Sequence, residues 1–271
     1  MHAEDRSERV VGTDRVLAVL VELARHPDGV SLEDVARRLH SPKPTVHRAL
    51  SSLGRAGLAA RPARGVYVLG DEFIRLAYEH QAARSDVAAI EPVLRELAER
   101  YGETAHFAVL DGADVVYRAK VDPPAGSVRL TSMIGGRNPA HRTAVGKLLL
   151  SDRIGSEDQL RAWLGARPLE ARTPRSITTV PALWSELERT KERGYAVDDQ
   201  ENELDINCIA LPVRVGPGSG VRGAVSVSAL AFRLPLERLI EELPSIRAIV
   251  QGSRADAEPW SSALSRSRDR R

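Results

Sequence analysis

Four side chains late in the sequence have the chemistry to hold a small molecule. Asp198, Cys208, Ser226 and Ser228 fall at strand ends or on alternate strand positions, so Ser226 and Ser228 share one sheet face. Small polar groups on one face are costly to bury unless something pairs with them. The plainer reading makes them strand serines and a small core cysteine. Cys208 with His106 or His141 as base would be the pairing that nucleophilic catalysis needs, and His106, His141, Asp198 and Glu201 are metal-ligating types. Spacing favours neither. No cysteine-protease or redox motif surrounds Cys208, no Gly-rich phosphate loop occurs, and the histidines and acids lack close ligand spacing. The reading is therefore no catalytic residue, no metal and no cofactor, with an enzyme built on Cys208 as the rival.

A second group lies near the N-terminus and its chemistry is electrostatic. From Arg37 to Gly70 the chain carries seven Arg or Lys and not one acid, although the 271 residues include 37 acids. The window also reads helix, turn, helix, hairpin, so the cations are held on folded elements. Folded and basic points to nucleic acid.

The elements that must hold these cations follow from apolar spacing. Val16, Val19, Leu20 and Leu23 predict a helix over 13–26, stopped at His26-Pro27-Asp28-Gly29. Ser31-Leu32-Glu33-Asp34 reads as a capped start to a second helix ending near His40, with acids at the positive helix end. A third helix starts at Pro42 or Pro44 and puts Val46, Leu50 and Leu53 on one face and Thr45, Arg48 and Ser52 on another. Lys43, Thr45, His47 and Arg48 crowd its N-terminal end, the part of a recognition helix that meets base edges. Leu58 to Leu69 then reads as two short strands around a Pro/Gly turn, with Arg61 and Arg64 near the tip, placed for phosphate or minor-groove contact. The alternatives are a solvated basic face on a small bundle and a plain hairpin.

The runs Asp14 to Leu20, Ser31 to Ala36, Lys43 to Leu50 and Tyr67 to Gly70 resemble the winged helix-turn-helix of the IclR family of bacterial transcriptional regulators. His141 to Lys147, Arg193 to Ala196, Asp198 to Glu201, Cys208 to Val213 and Ala224 to Ser228 are similar, in order, to landmarks of that family's effector-binding domain. The resemblance spans about residues 10 to 250. It implies a winged DNA-binding domain over 10–70, a linker helix over 71–84 around which DNA-binding domains dimerise, and a GAF-like effector domain over 85–252. It also implies operator DNA as partner, a homodimer or dimer of dimers, and a small, usually acidic effector at Ala144, Val145, Asp198, Cys208, Ser226 and Ser228. Hydroxyls, a thiol and N–H groups at the helix start near Thr143 suit a carboxylate. This chain departs from the pattern in having Ala144-Val145 for a smaller pair, Ala229-Leu230 after Ser228 for Gly-Pro, and Pro44 for Ser.

Between the basic unit and the later group the pattern is mixed. Phe73, Ile74, Leu76, Ala77 and Tyr78 give the 71–84 helix a broad apolar face. Beyond it, helices are predicted over 90–101, 143–151, 157–164 and 180–193, and strands over 104–110, 114–121, 128–131, 195–198, 207–215 and 222–230. That is an α+β domain around one antiparallel sheet. The Ser/Arg-rich stretch from Ser253 reads as disordered. A formal net charge of +2 makes the basic character local, and a lone cysteine excludes an intramolecular disulfide and a multi-cysteine zinc site. With neither a membrane-length apolar run nor a signal peptide, the reading is a cytoplasmic protein without a membrane partner.

Overall fold

The computed structural model describes residues 12–82, 85–123, 130–214 and 221–252. The chain forms two compact units, 1–84 and 85–271.

The first unit runs α1 (Thr13–Ala24), β1 (Val30–Ser31), α2 (Leu32–Arg38), α3 (Lys43–Arg55), β2 (Ala59–Ala63), β3 (Val66–Leu69) and α4 (Asp71–Ala82). Val19 and Leu23 of α1, Val35 of α2, and Val46, Leu50 and Leu53 of α3 are buried together, as their helical spacing requires. Ser31 caps α2, its hydroxyl accepting from the Asp34 N–H at 3.1 Å. Pro42 is the cap of α3 and Pro44 lies in its first turn, where a missing N–H costs nothing. The hairpin is a three-stranded sheet in the order β1-β3-β2. The two residues of β1 were not expected from the sequence, because a strand that short shows no alternation.

The second unit contains α5 (Ser85–Tyr101), β4 (Thr104–Asp111), β5 (Asp114–Val121), β6 (Arg137–Pro139), a 3-10 turn (Ala140–Arg142), α6 (Ala144–Arg153), α7 (Glu157–Leu164), α8 (Val180–Arg193), β7 (Ala196–Asp199), β8 (Ile206–Arg214), β9 (Val221–Leu230), α9 (Leu236–Glu241) and α10 (Leu243–Gly252). Its strands form one antiparallel sheet in the order β6-β5-β4-β9-β8-β7. Alternation sorts the side chains to two faces. Ala105, Phe107, Ile209, Val225 and Val227 pack with Val93, Leu94 and Leu97 of α5 and with Ile246 of α10. Ala108, Ala196, Ala210 and Ala224 of the other face pack with α6, α7 and α8 through Val145, Leu148, Leu160, Leu183 and Leu187. Alanines on the sheet let α6 sit close.

The strand expected over 128–131 is not formed where it can be followed: residues 128 and 129 lie outside the described residues, and Leu130 and Thr131 are not in a strand. The Leu130 carbonyl instead accepts from Lys120 Nζ at 2.8 Å. The edge strand beside β5 is β6, whose Arg-Asn-Pro sequence has no apolar signature. The stretch from Ser253 lies outside the described residues.

Candidate functional site

In the first unit, His47 and Arg48 are exposed and Thr45 and Ser52 partly so, on the side of α3 opposite its buried Val46, Leu50 and Leu53. Lys43 is exposed but bonded to Glu33 of α2. Ser52 accepts from Arg55 at 3.0 Å. Arg61 is held 5.7 Å above the Tyr67 ring, and Arg64 stands in the β2–β3 turn ahead of Gly65, whose φ of +81° a glycine adopts without strain. Arg37 pairs with Asp34 and Arg38 with Glu22 at 3.6 Å. Three of the seven cations counted along the sequence are thus paired with acids that precede the acid-free window. Among the described residues, Arg48, Arg61 and Arg64 have no acidic partner. A helix with an exposed polar N-terminal half beside a basic hairpin is the geometry that lies in a major groove with its wing on the backbone.

The second unit carries a small cavity of about 50 Å³. Asp198 of β7, Cys208 of β8 and Ser228 of β9 line it and are cross-strand neighbours, Asp198 opposite Cys208 and Cys208 opposite Ser228. Thr143, at the start of α6, also lines it. The Thr143 hydroxyl accepts from the Gly146 N–H at 3.0 Å, so the first turn of α6 begins at the cavity wall. Ser226 is one step along the same face, opposite His106, and does not line the cavity; nor do Ala144 and Val145, whose side chains are buried in the α6 core.

Sequence reasoning missed most of the remaining wall: Tyr117, Asn138, Ser132, Asn202 and Glu203. The sequence offers His106 as a base for Cys208 or as a metal ligand. It is buried, with Nε2 2.8 Å from Ser132 Oγ and Nδ1 3.4 Å from Ser228 Oγ. Asn138 donates to the Tyr117 hydroxyl at 3.3 Å. A sharp turn after β7 supplies Asn202 and Glu203: Asp198 Oδ1 accepts from the N–H groups of Glu201 at 2.7 Å and Asn202 at 3.3 Å. The turn is tied from outside by Thr173 donating to the Gln200 carbonyl at 2.7 Å and Ser176 donating to the Glu201 carbonyl at 2.6 Å. These partners are distant in sequence, so no spacing rule finds them.

Burial sets the electrostatics. It raises Asp198 to about 7, against the pull of Lys147, whose fully buried ammonium is bonded to Glu201. Burial also lifts Tyr117 to about 12 and pushes the Cys208 thiol up. It lowers His106 to about 3, with Lys120 adding to the effect. A neutral thiol and a weakly basic imidazole are poorly suited to nucleophilic catalysis. His141 is elsewhere, 3.2 Å from the Glu170 carbonyl. Among the described residues no three His, Cys, Asp or Glu side chains are grouped as a metal site requires. What the cavity can do is bind: hydroxyls, amides, two carboxyl groups and a helix start meet in one partly open place.

Residues 12–63 match the model of the IclR helix-turn-helix domain, and residues 81–253 that of the bacterial transcriptional regulator IclR C-terminal domain. The chain is 31% identical to the HTH-type transcriptional regulator XynR of Escherichia coli K12 over 226 residues, 83% of this chain and 88% of that protein. It is 29% identical over 237 residues to the transcriptional repressor IclR of the same organism, covering 86% of this chain and 85% of that one. A solved transcriptional regulator of Rhodococcus sp. RHA1 superposes with a TM-score of 0.73 at 30% identity, over 89% of this chain and 97% of that one. These relatives regulate transcription and are not enzymes, and with both domain models matched in order the chain belongs to the IclR family of bacterial transcriptional regulators.

Proposed function

We propose that this regulator acts in the cytoplasm as a homodimer or dimer of dimers on a symmetric operator, and that a carboxylate-bearing metabolite in the second unit sets its operator affinity. Base edges are read by Thr45, His47 and Arg48, with Lys43 and Ser52 beside them and Arg61 and Arg64 on the phosphates. Pairing of two units supplies the specificity that one short half-site lacks. The ligand's carboxylate sits at the start of α6, near the Ala144 and Val145 N–H groups and the Ser228 hydroxyl, as anions favour helix N-termini. Asp198 and Cys208 contact its other polar atoms, and Ser226 supports Ser228 from the next pair along the strand.

The observation that supports this most is the meeting of Asp198, Cys208 and Ser228 with Thr143 around one cavity. A ligand there changes operator affinity only by its differential affinity for two states of the chain. Operator affinity is to be measured with and without a panel of small acids, in the wild type and in Ser226→Ala/Ser228→Ala. The double variant is expected to keep ligand-free DNA binding and lose the response. An equal response in both proteins would place the pocket elsewhere.

A further inference from the structure

The cavity wall has an imbalance that a carboxylate alone does not answer. Its lining includes two acids, Asp198 and Glu203, and no Lys or Arg among the described residues. The nearby ammonium groups are committed: Lys147 to Glu201, and Lys120 to the carbonyls of Leu130 and Ser132 at 2.8 Å each. Two acceptors on this side lack a donor. Asn202 Oδ1 is buried with no hydrogen-bond partner. Asp198, which lines the cavity, takes both backbone donors on Oδ1, and its Oδ2 takes no hydrogen bond among the described residues. A buried acceptor without a donor is destabilising, and a ligand that brings the donor removes that cost.

From this we infer that the ligand is a hydroxylated monocarboxylate, with its acid end at α6 and one or more hydroxyls donating to Asn202 and Asp198. The inference rests on the carboxylate reading above and narrows it. A second carboxylate would face Glu203 and Asp198, with no Lys or Arg lining the wall among the described residues, which selects against dicarboxylates. Tyr117, Ser132 and Asn138 each both donate and accept, so a hydroxyl finds a partner in either sense, whereas an ammonium brings only donors and a large desolvation cost.

One four-carbon series on the full-length protein tests it by calorimetry: butanoate, 2,3,4-trihydroxybutanoate, 4-aminobutanoate, succinate and the neutral polyol threitol. The trihydroxy acid is expected to bind at least tenfold tighter than butanoate, with succinate the weakest of the acids. In Asn202→Leu, shown folded by an unchanged melting temperature, the hydroxyl preference is expected to shrink severalfold while butanoate binding holds. Equal binding of butanoate and the trihydroxy acid would overturn the inference and leave the carboxylate reading standing. So would a preference for 4-aminobutanoate or succinate. Binding of threitol without any acid would overturn the carboxylate reading instead, and no binding by any probe at millimolar concentration would overturn both. Should Asn202→Leu unfold, Asn202→Asp serves as the variant: it keeps an acceptor and is expected to keep the hydroxyl preference, and loss of that preference counts against the inference.

Discussion

At the scale of residues, a count along the chain and a count in space differ. The acid-free window is real as sequence, yet Glu22, Glu33 and Asp34 fold back onto Arg38, Lys43 and Arg37. Of the four Arg or Lys in the DNA reading, Arg48, Arg61 and Arg64 are left without an acid among the described residues, and Lys43 is not. Arg48→Ala and Thr45→Ala are expected to change sequence preference, each lost base contact costing about 1–3 kcal/mol. Arg61→Ala and Arg64→Ala are expected to weaken cognate and random duplex alike and to reduce the salt slope by about one each. Binding curves on both duplexes at several salt concentrations check this, and an unchanged pair of curves for Arg48→Ala would remove α3 from the reading. Asp198 makes a separate prediction. Its carboxyl is raised to about 7, so the folded chain holds a proton that the unfolded chain has released. The stability this contributes is complete below about pH 4, where both forms are protonated, and is lost as pH rises to the folded value. Asp198→Asn, which keeps an acceptor for the turn, should flatten the fall in urea midpoint between about pH 5 and pH 7, the slope removed being at most about 1.4 kcal/mol per pH unit. Glu201, also raised by burial, leaves a residual slope.

At the scale of elements, what could be read was what periodicity encodes. The α1 and α3 stripes, the two-strand hairpin, α7 and α8, and the long strands β4, β5, β8 and β9 all show period 3.6 or period 2. Of the elements missed, β1, β6 and α9 are short, whereas α10 carries Leu243, Ile246, Ile249 and Val250 at helical spacing and was legible but not read. The cavity was half legible for the same reason, since Asp198, Cys208 and Ser228 lie on alternating strands whereas Ser132, Asn138 and Asn202 come from turns and an edge. Position in a turn is decided by hydrogen bonds that no pattern announces. The seat of α6 gives an element-scale prediction. A Cβ on Gly146 would lie 2.1 Å from the Ala140 carbonyl oxygen, a backbone atom with no room to yield. Gly146→Ala should therefore cost about 1–3 kcal/mol or more and push the start of α6 off the cavity, so ligand response is lost along with melting temperature. Ser31→Ala, by contrast, should cost about 1 kcal/mol through the lost cap of α2 and leave ligand binding in the second unit untouched.

At the scale of the whole molecule, the single chain leaves apolar surface uncovered. Leu17 and Val21 of α1 and Ile74, Leu76 and Tyr78 of α4 are between 47% and 75% exposed. Exposed apolar residues in such number on a small unit mark an association surface. Light scattering should give a dimer or tetramer mass, and Leu17→Glu with Ile74→Glu should lower that mass and weaken operator binding severalfold without unfolding either unit. A monomer with full operator affinity would contradict this.

The pairing of Asp198 with Cys208, and of Cys208 with Ser228 and Ser228 with Thr104, runs straight across four strands. Such a rung behaves like a reading frame. Removing one residue from β8 ahead of Cys208 slips the remainder of that strand by one, turning the thiol toward the apolar layer under α5 and an aliphatic neighbour into the cavity; removing two restores the phase, though shifted by one pair. Relatives that respond to different ligands are then expected to differ by substitution along this rung and by insertions in the turns beyond it, and hardly ever by a single insertion or deletion within the strands. A set of one- and two-residue deletions in β8, scored for folding and for ligand response, would show that phase directly.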